Sequence, residues 1–169
     1  MAVLFSDVRR STEFAARVTP SELFERLNRL LSRQSRVVQA HGGSVLKYTG
    51  DGLMAGFRGL GRSYLAVRCG LALLADTAEA DPSLPSGAGV CEGLVMAGFI
   101  GDAGRQQYDI LGATVHMAAR LCSLAEAGEV LATAQTARSA RLRGRPTRNV
   151  GPIEVRGFDG AVACVAFTS

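Results

Sequence analysis

The feature that most constrains this chain is a short apolar run at its start, Ala2-Val3-Leu4-Phe5-Ser6-Asp7-Val8. The run is nearly continuous rather than alternating, so it reads as a strand buried on both faces. An acid at the end of such a strand is costly to bury without a partner. Asp7 therefore asks for something to share its charge, and the rest of the chain must build a sheet around the strand that carries it.

The downstream pattern supplies that sheet. Thr19-Pro20-Ser21-Glu22 is a strong helix start: Thr19 caps, Pro20 suits the first helical position and Glu22 completes a capping box. Leu23, Leu27, Leu30 and Leu31 recur at helical spacing, and Gly42-Gly43 ends the helix. Residues 44–48, the turn Gly50-Asp51-Gly52 and residues 53–57 read as a β-hairpin. A second helix is predicted over about 60–79, strand over 89–100 and 106–110, and a third helix from Gly112 to about Ala125. Residues 129–132, 148–156 and 161–167 read as closing strands, with a short helix near 134–140. The order is βαββαβ with additions at the C-terminal end. It predicts an α/β (α+β) fold, a ferredoxin-like core sheet with helices on one face and additional C-terminal strands. No linker, repeat or low-complexity segment interrupts it, so residues 1–169 read as a single domain.

Composition excludes several classes. With 169 residues and 47% hydrophobic content the chain can bury a full core. No apolar run approaches the ~18 residues of a membrane span; the richest, 64–75, contains Arg68. The start has no basic region or cleavage site of a signal peptide, and its abrupt opening on a buried strand suggests that regulatory sequence precedes it. Cys69, Cys91, Cys122 and Cys164 are widely spread, which favours free thiols in a reducing cytoplasm over disulfides or a metal knuckle. The net charge of +4 is scattered. Its densest stretch, Arg138, Arg141, Arg143, Arg145 and Arg148, reads as a solvated face rather than a nucleic-acid patch. Lys47 is the chain's one lysine, standing directly before the hairpin turn.

The chemistry centres on Asp7 and Asp51. If the first strand lies beside the hairpin, the two carboxylates converge, and hard oxygen ligands of this kind suit Mg²⁺ together with phosphate oxygens and water. The alternative is that Asp51 merely forms a turn. After Asp7, Val8-Arg9-Arg10-Ser11-Thr12 leads into a short helical stretch at 13–17. Its first turn suits a triphosphate, or Ser11 is an ordinary N-cap.

Taken together, Phe5-Ser6-Asp7-Val8, Ser11-Thr12, Asn28, Leu31, His41-Gly42-Gly43 and Lys47-Tyr48-Thr49-Gly50-Asp51-Gly52 resemble the catalytic domain of class III nucleotide cyclases. So do Tyr108-Asp109-Ile110-Leu111-Gly112 with Val115, Ala118, Ala119, Arg120 and Leu121, then Gly128-Glu129-Val130-Leu131 and Val155-Arg156-Gly157-Phe158. The resemblance covers residues 2–167. It implies an adenylyl cyclase that converts ATP to 3′,5′-cyclic AMP and pyrophosphate in a homodimer, with sites at the interface and no membrane contact by the domain itself. Asp7, Asp51 and the Val8 carbonyl of one chain would hold two Mg²⁺ (or Mn²⁺). The partner would supply Lys47 and Asp109 to read adenine, with His116 and Arg120 at the ribose and α-phosphate. Arg10, Ser11, Thr12 and Arg156 fall where the substrate's phosphates are held. The lysine donor and aspartate acceptor fit adenine N1 and N6; guanylyl members use a glutamate and a cysteine.

Three positions depart from that pattern. His116 replaces an asparagine that positions the ribose, and an imidazole is bulkier and ordinarily titrates near pH 6.5. Gly87 stands where family members often carry an arginine, and Arg10 replaces a glycine of the phosphate loop. Arg10 could supply the positive charge missing at Gly87. His116 and Gly87 favour the alternative reading, a degenerate domain that binds nucleotide or dimerises as a regulator; the intact Asp7, Asp51, Lys47, Asp109 and Arg120 argue against it. A diguanylate cyclase is disfavoured because Gly42-Gly43 is followed by Ser44 instead of an acidic pair.

Overall fold

The computed structural model describes residues 1–102, 104–142, 147–155, 158 and 160–168. In chain order its elements are β1 (Ala2–Val8), α1 (Ser11–Ala15), α2 (Pro20–Ala40), β2 (Ser44–Tyr48), β3 (Gly52–Phe57) and α3 (Arg62–Ala80). There follow β4 (Ser86–Glu92), β5 (Met96–Asp102), β6 (Arg105–Leu111), α4 (Ala113–Leu124), β7 (Glu129–Thr133), α5 (Ala134–Ala140), β8 (Thr147–Glu154) and β9 (Ala161–Thr168). The start of α2 is built as its sequence predicts: Thr19 Oγ1 accepts from the Glu22 N–H and Pro20 opens the helix.

Seven strands form one sheet in the order β2-β3-β1-β4-β7-β9-β8, and β5 with β6 makes a separate two-stranded ribbon. The first four strands follow the ferredoxin-like order 2-3-1-4, with β1 antiparallel to both neighbours. β7 then adds parallel to β4, and β9 and β8 extend the sheet. The predicted strand over 89–100 is two strands. The chain leaves the sheet at Gly93, whose N–H donates to the Met1 carbonyl, and the Leu94 carbonyl accepts from Thr114 Oγ1.

The helices do not all share one face. Leu4, Leu53, Ala55, Val90 and Val130 join residues of α3 in one core, which is the face the core helices α2 and α3 cover. Val3, Met54, Cys91 and Leu131 join Met117, Ala118 and Leu121 of α4 in a second. A strand apolar on both sides needs cover on both sides, and α4 supplies it for β1. Glycines let α4 lie directly on the strands: a Cβ on Gly89 would sit 2.1 Å from the Cys122 nitrogen and 2.3 Å from the Ala118 carbonyl oxygen. On the other face a buried relay joins three elements, Ser6 Oγ donating to Gln34 Oε1 and Gln34 Nε2 to Thr77 Oγ1.

All four cysteines are free and buried. Burial pushes the Cys69 and Cys122 thiols up to about 12 and Cys91 to about 11, so they pack as small apolar groups rather than react. No described helix is long and apolar enough to cross a membrane.

Candidate active site

The carboxylates of Asp7 and Asp51 meet because of the strand register. β1 pairs with β3 so that Asp7 lies opposite Gly52, which places Asp51 at the turn beside it. Both glycines of the turn have a physical reason. Gly50 has φ 89°, and a Cβ on Gly52 would sit 1.9 Å from the Ser6 carbonyl oxygen. Asp51 thus sits in a tight turn and also faces the Asp7 carboxylate. Partial burial, with Asp51 facing it, pushes the Asp7 carboxyl up to about 6, while Arg9 pulls the other way. Val8 is buried at the end of β1, opposite Ser86.

This pair fits a divalent ion. Burial and the neighbouring Asp51 raise the proton affinity of Asp7 even with Arg9 beside it, and the Asp7 side chain remains 41% exposed and reachable. Among the described residues no group of three or more His, Cys, Asp and Glu comes together. The protein thus offers the one or two carboxylates that Mg²⁺ takes when phosphates and water complete its shell.

A second group forms elsewhere in the same chain. Lys47 Nζ donates to Asp109 Oδ2 at 2.7 Å, tying β2 to the β5–β6 ribbon. In a regular strand Lys47 would face away from its neighbour Leu46. The register slips between Val45 and Lys47, so that Val45 lies opposite Ala55 and Lys47 opposite Met54. Met54 belongs to the α4 face of the sheet, and the irregularity turns Lys47 toward it. The hydrogen bond from Lys47 is the main cause that holds the Asp109 carboxyl below its ordinary value, and the Ile110 N–H, donating to Oδ1, adds to it.

His116 and Arg120 stand one turn apart on the exposed side of α4, whose other side is buried through Met117, Ala118, Leu121 and Cys122. No hydrogen bond or ion pair among the described residues joins them, or the Lys47–Asp109 pair, to Asp7 and Asp51. One chain holds the candidates as separate groups.

The segment after Asp7 differs in detail from its reading. α1 starts at Ser11, so Ser11 is not the N-cap; that place falls to Arg10, without a side-chain capping bond. Arg10 has φ 56°, the left-handed conformation that glycine adopts most easily. Ser11 is half-buried and Thr12 exposed. Arg156 lies outside the described residues. At Gly87 a Cβ would meet the Glu126 carbonyl oxygen at 2.8 Å and that of Ala125 at 3.2 Å, so a side chain there requires the end of α4 to move.

Arg9 was missed by sequence reasoning. Its Nη2 donates to Asp7 Oδ2 at 2.8 Å and its Nη1 to the Cys122 carbonyl at 3.1 Å. The available signal was spacing, because an arginine two residues from an acid in extended chain lies on the same side of it.

The adenylate and guanylate cyclase catalytic domain family matches this chain over residues 1–168. The adenylyl cyclase CyaB from P. aeruginosa superposes with a TM-score of 0.87 at 27% identity, covering 99% of this chain and 93% of that one. The guanylyl cyclase Cya2 superposes at 0.86 with 25% identity, covering 98% and 90%. An uncharacterized protein of Mycobacterium tuberculosis is 33% identical over 171 residues, covering 96% of this chain and 31% of its own length. The chain thus spans about a third of the length of the curated relatives it matches. By motif, fold and extent, the chain belongs to the adenylate and guanylate cyclase catalytic domain family.

Proposed function

We propose that this domain is an adenylyl cyclase acting as a homodimer, forming 3′,5′-cyclic AMP and pyrophosphate from ATP. The observation that carries the choice of ATP is the Lys47–Asp109 pair, a donor and an acceptor held side by side at 2.7 Å. Adenine presents an acceptor at N1 and a donor at N6, the complement of that pair. A dimer is favoured because the candidate groups do not meet within one chain. It is favoured too by the ribbon and its flanks, which expose Leu94, Met96, Phe99, Tyr108 and Leu111.

In this reading Asp7, Asp51 and the Val8 carbonyl of one chain hold two Mg²⁺ or Mn²⁺. Bound there, such ions favour ionisation of the ribose 3′-hydroxyl and neutralise charge on the departing pyrophosphate. Ser11 and Thr12 with Arg10 face the phosphates, and Arg156 is a further candidate for that task. Lys47 and Asp109 of the partner orient the base, and His116 holds the ribose. The 3′-oxygen forms a bond to the α-phosphorus while the bond to the bridging oxygen breaks. The hydroxyl proton passes to water, and pyrophosphate leaves with the electron pair. Arg120 of the partner stabilises charge that grows on the α-phosphate. The thiols of a domain like this stay reduced in the cytoplasm, where its substrate is found.

A second reading, a regulatory domain that binds nucleotide with little turnover, is favoured by His116 and by the closed space at Gly87. One experiment separates the two: the domain is incubated with ATP or GTP plus Mg²⁺ or Mn²⁺, and cyclic nucleotide is assayed. Cyclic AMP in excess over cyclic GMP supports the cyclase. Bound nucleotide without product supports the regulator, and preference for GTP refutes the role given to Lys47 and Asp109.

A further inference from the structure

Arg9 spends its donors on two elements at once. On one side Nη2 donates to Asp7 Oδ2 at 2.8 Å, and Nε and Nη2 reach the Asp7 carbonyl at 3.3 and 3.2 Å. On the other, Nη1 donates to the carbonyls of Cys122 at 3.1 Å and Ala125 at 3.5 Å, at the end of α4. The last turn of α4 contains no basic residue of its own. A helix end leaves carbonyls without partners and carries partial negative charge, so Arg9, just beyond β1, supplies the cation that the last turn of α4 lacks. The side chain is mostly covered, 18% exposed, and its backbone N–H is tied to the Pro85 carbonyl. Gly87, opposite Asp7 on β4, keeps the way clear, since a Cβ there would press on the Ala125 and Glu126 carbonyls.

The two ends of this bridge matter differently. Asp7 belongs to the carboxylate pair, whereas α4 carries His116 and Arg120, which in a dimer serve the other site. We propose that Arg9 is a positioning residue that orients the Asp7 carboxylate for divalent-ion capture and ties it to the helix that presents His116 and Arg120. It thereby joins the halves that one chain gives to two different sites. This rests on the reading of Asp7 as a metal ligand and of the site as shared between chains.

The first test is Mn²⁺ binding to the nucleotide-free domain, followed by electron paramagnetic resonance, for the parent chain, Arg9→Met, Arg9→Lys and Asp7→Asn. Loss of a group that orients a metal ligand weakens binding by about 10–100-fold. Arg9→Met is expected in that range. Arg9→Lys, which keeps a charge for Asp7 but not the fork that spans both elements, is expected in between and serves as the folded control. Binding unchanged or tighter in Arg9→Met, with Asp7→Asn still abolishing it, overturns the proposal alone. Binding unchanged in Asp7→Asn overturns the metal reading with it.

The second test is a mixed dimer of an Asp51→Asn chain with an Arg120→Ala chain, in which a single site is whole. Arg9→Lys is placed in either chain. A lowered kcat in both placements is expected, because the substitution loosens the carboxylate in one chain and α4 in the other. A loss confined to the chain that carries the intact Asp7 and Asp51 overturns the link to α4.

Discussion

Replacing Lys47 with methionine removes the ammonium group while keeping most of the side chain's bulk, and it isolates what the bond to Asp109 contributes. Asp109 is 16% exposed and would keep the Ile110 N–H as its remaining donor, at 2.8 Å. A hydrogen bond to a charged group contributes about 1.5–3 kcal/mol. Lys47 is one-third exposed, so water and salt screen part of this, and about 1–2 kcal/mol is expected. For a domain of this length that lowers the melting temperature by about 2–8 °C. The sign with pH follows from Asp109, whose carboxyl is held below its ordinary value of 3.8 first by Lys47. A depressed carboxyl contributes stability above its unfolded value and loses it as pH falls through its folded one. The gap between parent and Lys47→Met should therefore be full at neutral pH and shrink below about pH 4. Urea unfolding of the parent, Lys47→Met, Asp109→Asn and the double variant at pH 7 and pH 3.5 measures it. A coupling free energy of zero, or a gap that persists unchanged at pH 3.5, would refute the argument. The same single variants should lower the preference for ATP over GTP by about 5–30-fold, the ratio to which a lost base contact of about 1–2 kcal/mol corresponds.

In metal-free buffer Asp7→Asn should stabilise the domain above about pH 6 and match the parent near pH 4. A carboxyl raised to about 6 in the folded chain favours folding when protonated and loses that contribution as pH rises; melting curves in EDTA that run parallel at both pH values would contradict this. Gly89→Ala should destabilise by about 1–3 kcal/mol or more in urea, since its methyl would enter the backbone of α4 at 2.1 Å. A neutral result would mean that α4 does not rest on β4 as described. His116→Asn should raise turnover by about tenfold or more through better ribose placement and alter the pH–rate profile. If rate and profile both stay as they are, His116 plays no part at the ribose.

Much of this domain was legible from residue order. The apolar run of β1, the capped start of α2 and the Gly-Asp-Gly turn are local signals, written in neighbouring residues and read by rules of period and capping. They placed Asp7 and Asp51 at adjoining strand ends, and the registered pair Asp7–Gly52 bears that out. The break of 89–100 into β4 and β5 was not legible, because it depends on the Gly93 N–H finding the Met1 carbonyl, a partner 92 positions away.

By itself the sequence determined the ferredoxin-like order of elements and the residue types available for chemistry. The tertiary structure decided which face each one serves. A two-residue period sends Lys47 to one side of β2, and the slip after Val45, set by pairing with β3, sends it to the other, where it meets Asp109. Likewise the apolar residues of α4 say that it packs, but the glycines of β4 decide that it lies across the second face, ending where Arg9 can join it to Asp7. Periodicity is a property of neighbours, whereas face and contact follow from register between distant segments, and that is settled only when the chain is folded.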